Sequence, residues 1–181
     1  MSSTNPPAGL ILTPGASADR EHATLVAIER GLPEIAVERL TLGTTSVPRA
    51  VAKIVDAAGD LAAKLDVPAD RIALGGRSFG GRACSVAVAE GLGASSLVLL
   101  SYPLHPPGKP EKLRTDHFPT LTVPCLFVSG EKDPFGSPDE FGEHVGAIGG
   151  AVHQEWVVGG HAPKGKDDEI IGQIRAFFSL D

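Results

Sequence analysis

Cysteine is scarce in this chain: Cys84 and Cys125 are the only two among 181 residues. Two thiols make neither a disulfide framework nor a metal-binding set, which excludes the small disulfide-stapled and zinc-module classes. Long apolar runs are missing as well. None approaches the ~20 residues a bilayer-spanning helix needs, and Met1–Gly9 lacks the basic start and apolar stretch of a secretory signal. Basic residues are in deficit, 16 Lys and Arg against 22 Asp and Glu, for a net charge of −6. That sign argues against a general binder of nucleic acid or of anionic membranes. Internal repeats and a domain linker are also lacking, and the expected location is cytoplasmic.

The composition that remains, 42% hydrophobic and 21% charged, is that of a globular protein. A chain of this length buries roughly 70% of its unfolded surface in a single core. The expected division is a loose polar segment over residues 1–8 and one domain over 9–181. Short apolar runs alternate with helical patterns, the signature of a parallel sheet with crossover helices. The runs Leu10–Thr13, Ala36–Leu40, Ile72–Gly75, Ser96–Ser101, Cys125–Ser129 and His153–Val158 predict six strands. Between the second and third, Val47, Val51, Ile54, Ala58, Leu61 and Leu65 fall on one helical stripe. Ser46 is its expected cap, with Pro48 in the first turn. Further helices are expected over Asp19–Arg30, after Ser78, over Pro138–Ile148 and over Asp168–Leu180. The proline-rich stretch Tyr102–Pro124 is expected to be an ordered loop near the site.

The strongest chemical signal is Gly76-Arg77-Ser78-Phe79-Gly80, a G-x-S-x-G pattern between a predicted strand and a helix of small residues. A nucleophilic serine needs a tight strand-to-helix turn that exposes its oxygen, with glycines on either side to admit neighbouring backbone. Such a serine also needs an acid and then a histidine later in the chain. Asp133, in Gly130-Glu-Lys-Asp-Pro-Phe-Gly136, and His161, in Gly159-Gly-His-Ala-Pro163, each follow the carboxyl end of a predicted strand. Glu131, Asp116 and Asp139 remain alternatives for the acid. His22 and His144 fall in predicted helices, His153 opens a strand, and His105 and His117 precede the acid, which favours His161. The oxyanion donors are expected to be the amides of Phe79 and of Ala16, or of its neighbour Ser17, with Gly15 supplying unusual backbone angles. Gly160–Asp167 nearly spells a phosphate-binding loop. It lacks the Ser or Thr that would hold magnesium, and Pro163 deletes an amide. Cys84, about two turns along the helix, is expected to pack against the sheet. Arg77 and Phe79 flank the serine, either to touch substrate or to pack.

These segments resemble an α/β-hydrolase of the small dienelactone-hydrolase-like branch. The likeness is strongest to the group of testis-expressed protein 30 and a subunit of the NSL acetyltransferase complex. The matching stretches are Leu12–Ala16, Leu74–Ala83, Ser101–Pro110, Pro124–Gly136 and Gly160-His161. The resemblance implies a compact core of about six parallel strands without a cap domain, and Ser78, Asp133 and His161 as the triad. It implies a serine hydrolase cleaving a small ester or thioester through an acyl-enzyme, with a small-molecule acyl substrate and no metal or organic cofactor. Dienelactone hydrolases carry Cys at the nucleophile position, where this chain has Ser78, and the family's usual His-Gly in the first loop is here Pro14-Gly15. Because some members are complex subunits, a catalytically idle fold serving as an interaction subunit is the alternative.

Overall fold

The computed structural model describes residues 6–180. Six strands form one sheet: β1 (Gly9–Thr13), β2 (Ala36–Arg39), β3 (Ile72–Arg77), β4 (Leu97–Leu100), β5 (Cys125–Gly130) and β6 (Val152–Val157). Every pairing is parallel, in the order β2-β1-β3-β4-β5-β6. Parallel strands need a crossover between them, and helices on both faces supply it. The five helices are α1 (Ala23–Gly31), α2 (Val47–Leu65), α3 (Phe79–Ala89), α4 (Pro138–His144) and α5 (Asp167–Phe178). Residues 1–5 of the expected loose segment lie outside the described residues. Within its remainder, Pro6 accepts a hydrogen bond from Arg71, and Ala8 pairs with the backbone of Arg71 and Ala36.

Alternation along the strands sorts the core into two layers. Ile11, Leu74, Leu99 and Phe127 pack against α2, α3 and α4, whereas Leu10, Leu12, Val98 and Val128 pack against α1 and α5. The predicted stripe of α2 is the buried one: Val51, Ile54, Ala58 and Leu61 all enter the first layer. On α5, Ile170, Ile174 and Phe178 close the second.

Several ends differ from the sequence reading. Strand β3 runs two residues past Gly75, because Gly76 pairs with Leu99 and Arg77 with Leu100. Helix α1 starts at Ala23, not Asp19, and the ring Nδ1 of His22 caps it by accepting from the Thr24 amide at 3.3 Å. Ser46 precedes α2 but makes no side-chain cap; its own amide is held by Thr44 Oγ1 instead. Helix α4 stops at His144 and tightens into a 3-10 turn over Val145–Ala147.

The chain runs from β1 to β2 on one side and then to β3 on the other, so its direction reverses between β1 and β3. In open parallel sheets the crevice outside the carboxyl ends at such a reversal is where ligands bind. Thr13 and Arg77 end the two strands that border it. No described helix is long and apolar enough to cross a membrane.

Candidate active site

Ser78 alone connects β3 to α3. Its φ of 50° and ψ of −118° lie in a region that residues with a side chain rarely adopt. The neighbours that enforce this strain are Gly76 and Gly80. A Cβ on either would collide with Thr13 Oγ1, and on Gly80 also with the Pro14 carbonyl. The β1 end therefore wedges directly against the turn. Thr13 is fully buried there and donates from Oγ1 to the Gly75 carbonyl at 3.0 Å. Thr13 was not among the residues singled out from sequence, although its place at the end of the first strand was the available signal.

The structure brings Ser78, His161 and Asp133 together from three strand ends. Ser78 Oγ lies 2.8 Å from His161 Nε2. On the other side of the ring, Nδ1 lies 3.0 and 2.9 Å from the two oxygens of Asp133. An ionised carboxylate only accepts, so Nδ1 carries the proton and Nε2 presents its lone pair to the Ser78 hydroxyl. The Asp133 carboxylate is almost completely buried and accepts a second bond from the Phe135 amide at 2.9 Å. Two backbone bonds join the loops that hold these groups: the Glu131 amide donates to Val157, and the Lys132 amide to Gly159. Gly159 takes a φ of 143°, which a side chain would resist.

The alternative acids are elsewhere. Glu131 is exposed, Asp116 sits in the 102–124 loop, and Asp139 lies in the first turn of α4. His22, His105, His117 and His153 have other partners. His105 bridges the Pro106 carbonyl and Glu140, and His117 bonds Ser85 at 2.8 Å. Burial and the nearby Arg82 charge push the His117 ring down to about 4, so it is neutral.

For the oxyanion, the amides of Phe79 and Ala16 have no acceptor among the described residues, and the Ser17 amide is equally unpartnered. The loop carrying Ala16 reaches the nucleophile: a Cβ on Gly15 would sit 3.9 Å from Ser78 Cβ. Gly15 does not have a positive φ, contrary to expectation, and a methyl there would make only ordinary contact. Cys84 is fully buried against β3, with its Sγ 3.5 Å from the Gly75 carbonyl, and desolvation raises its thiol to about 12. Among the described residues, no three His, Cys, Asp or Glu side chains cluster as a metal site.

Two contacts went unread in the sequence. The Phe135 ring stacks on His161 at 4.0 Å between centroids and 27° between planes. Arg77 Nη2 donates to the His161 carbonyl at 2.8 Å. Both depend on loop geometry that local patterns do not specify. The segment Tyr102–Pro124 is packed: Tyr102, Leu104, Phe118 and Leu121 are fully buried, and the His105 amide bonds the carbonyl of Phe135, the residue stacked on His161.

Three solved structures share this arrangement of strands and helices. Est1E from Butyrivibrio proteoclasticus is 20% identical over 98% of this chain and 88% of its own, with a TM-score of 0.76. A dienelactone hydrolase from Anabaena variabilis is 15% identical over 96% and 86%, with a TM-score of 0.78. A structure of the metagenome-derived lipolytic enzymes LipS and LipT is 14% identical over 98% and 96%, with a TM-score of 0.77. At those identities the likeness is one of fold. Residues 7–167 match the family described as the alpha/beta hydrolase domain, and the chain belongs to that family.

Proposed function

We propose that this protein is a serine hydrolase that cleaves a small ester or thioester through an acyl-enzyme on Ser78. The observation that carries the reading is the relay of hydrogen bonds from Ser78 Oγ through His161 to the buried Asp133 carboxylate. His161 Nε2 takes the Ser78 proton as Oγ bonds to the carbonyl carbon, and Asp133 stabilises the imidazolium that forms. The Phe79 and Ala16 amides hold the oxygen on which negative charge develops. As the carbonyl re-forms, the bond to the leaving group breaks, and His161 returns its proton to that group. Water then attacks the acyl-enzyme, giving its proton to His161, and the acid leaves as Ser78 is regenerated.

The buried Asp133 and the tied loops support a preorganised site, which such chemistry needs. That Est1E and the lipolytic enzymes share the fold is in keeping with ester substrates. The preference for short acyl groups follows from the uncapped face at Ser78. Placement in the dienelactone-like branch, near the testis-expressed protein 30 group, rests on the motif resemblance and on the shared fold of the Anabaena variabilis protein. A cytoplasmic site of action is part of the same proposal and fits two free, buried cysteines.

The test is a turnover screen of short-chain aryl esters, thioesters and lactones with the native protein and Ser78→Ala. Hydrolysis that falls as the acyl chain lengthens, and disappears in Ser78→Ala, is expected. No turnover of any class would leave the idle-fold reading in its place, and equal turnover by the variant would remove Ser78 from the chemistry.

A further inference from the structure

Behind the His161 loop lies a cavity of about 290 Å3, bounded by the starts of α1 and α5 and the ends of β3, β4 and β5. Its walls include Arg77, His22, Thr24, Ser101, Lys164 and Asp167, but neither Ser78 nor the Ala16 loop. Arg77 is the residue that gives this cavity a chemistry. Arg77 is half-buried, and among the described residues its only hydrogen bond is the one from Nη2 to the His161 carbonyl. No carboxylate pairs with it. The remaining guanidinium donors are not sealed within the protein but reachable from the cavity that Arg77 lines, and a planar carboxylate is the ligand that fills them two at a time.

Three further features point the same way. Lys164 makes no ion pair among the described residues. Ser101 is 3% exposed, has no side-chain hydrogen bond, and holds a φ of 46° where β4 ends at the cavity. The amino-terminal ends of α1 and α5 both meet the cavity, adding partial positive charge. Opposing them, Asp167 is in the wall and Asp19 lies near His22, whose own ring burial and Arg77 hold toward the neutral form. In formal charge these acids cancel Arg77 and Lys164, and the Asp133 charge also acts on Arg77. The attraction left is that of the guanidinium fork and the two helix ends, suited to one negative charge and unfavourable to two. At about 30 Å3 per water-sized group, the cavity takes a ligand of about ten heavy atoms.

We propose that this cavity binds a small monocarboxylate, with Arg77 as the anchoring residue and Lys164 as a secondary contact. In engaging the remaining donors the carboxylate draws the Arg77 guanidinium, whose Nη2 holds the His161 carbonyl, toward the cavity and so loosens the loop that carries the imidazole. That regulatory consequence rests on the hydrolase reading, under which the released product is itself a carboxylate; the binding does not.

The experiment is calorimetric titration of the full chain with propionate, butyrate, succinate and inorganic phosphate, on native protein, Ser78→Ala, Arg77→Met, Arg77→Lys and Lys164→Gln. Thermal melts report whether each variant is folded. Saturable binding of the monocarboxylates is expected, unchanged in Ser78→Ala and weakened about tenfold or more in Arg77→Met. Lys164→Gln should weaken binding severalfold while leaving turnover without added carboxylate unaltered. In Arg77→Lys the charge without the fork should restore only part of the affinity. Should Arg77→Met fail to fold, Arg77→Lys and Lys164→Gln still decide the matter. Absence of saturable binding, loss of binding in Ser78→Ala, or tighter binding of succinate or phosphate would overturn the proposal. In turnover assays, bound carboxylate should lower kcat and leave KM unchanged. A rise in KM alone would place the carboxylate at Ser78 and overturn the regulatory step, whereas binding with no turnover by any form would fail the hydrolase reading and leave the cavity's ligand standing.

Discussion

At the scale of single residues, the imidazole of His161 is constrained on three sides: Ser78, Asp133 and the ring of Phe135. Replacing Asp133 with Asn keeps the shape but removes the acceptor that fixes the proton on Nδ1. The Asp133→Asn variant should melt near the native temperature and lose on the order of 10^3–10^4-fold in kcat on the best ester found. Phe135→Ala removes a stacked ring worth ~0.5–1.5 kcal/mol, so kcat should fall about 2–12-fold with little change in KM. The thiols are predicted to be bystanders. Burial raises both Cys84 and Cys125 to about 12, so iodoacetamide at pH 8 should modify neither in the folded protein and leave activity intact. Rapid alkylation with loss of activity would contradict that assignment.

At the scale of elements, the strand-to-helix turn works because two glycines let β1, β3 and α3 meet without side chains between them. Gly80→Ala would drive a methyl into the Thr13 side chain and the backbone of Pro14. The expected outcome is a loss of ~1–3 kcal/mol or more in chemical denaturation, together with loss of activity. The loop after β4 is fastened to α3 through His117, whose Nε2–H donates to Ser85, which in turn donates to the Arg82 carbonyl. Since the folded ring titrates near 4 and an unfolded one near 6.5, the unfolded chain binds the proton first on acidification. Stability contributed by His117 is therefore complete above pH 6.5 and is lost as pH falls from there toward 4. Thermal melts at pH 7 and pH 4.5 should show a smaller acid drop in His117→Gln than in the native protein.

The elements themselves were largely readable, and the misreadings share a cause. Apolar runs mark where strands are buried, but Gly76 and Arg77 carry no hydrophobic signal, and only pairing with Leu99 and Leu100 extends β3 over them. Likewise, Ser46 has the right chemistry for a cap yet its hydroxyl makes no cap bond; the side chain that bonds backbone at this turn is Thr44, accepting from the Ser46 amide, which propensity alone does not weigh. His22 took the capping role at α1 although histidine is not a usual cap.

Across the whole molecule, parallel topology is what made the site legible. Every strand of such a sheet ends on the same edge, so residues just past β3, β5 and β6 share that edge however far apart they lie in sequence. Ser78, Asp133 and His161 could be nominated from that rule and their order in the chain. The rule does not reach long side chains that cross between loops. Arg77 meeting the His161 carbonyl, and Phe135 lying flat on the imidazole, needed the final approach of three loops to be known. The cavity behind His161 was illegible for the same reason, being formed by two helix starts on the opposite face from α3.

The central claim is that Ser78 is an activated nucleophile, and a fluorophosphonate probe reads this without knowledge of the substrate. Intact mass and peptide mapping of the treated protein should show one adduct, located on Ser78, absent from Ser78→Ala and strongly slowed in His161→Ala. A folded native protein that stays unmodified, or an adduct located on another residue, would contradict the account.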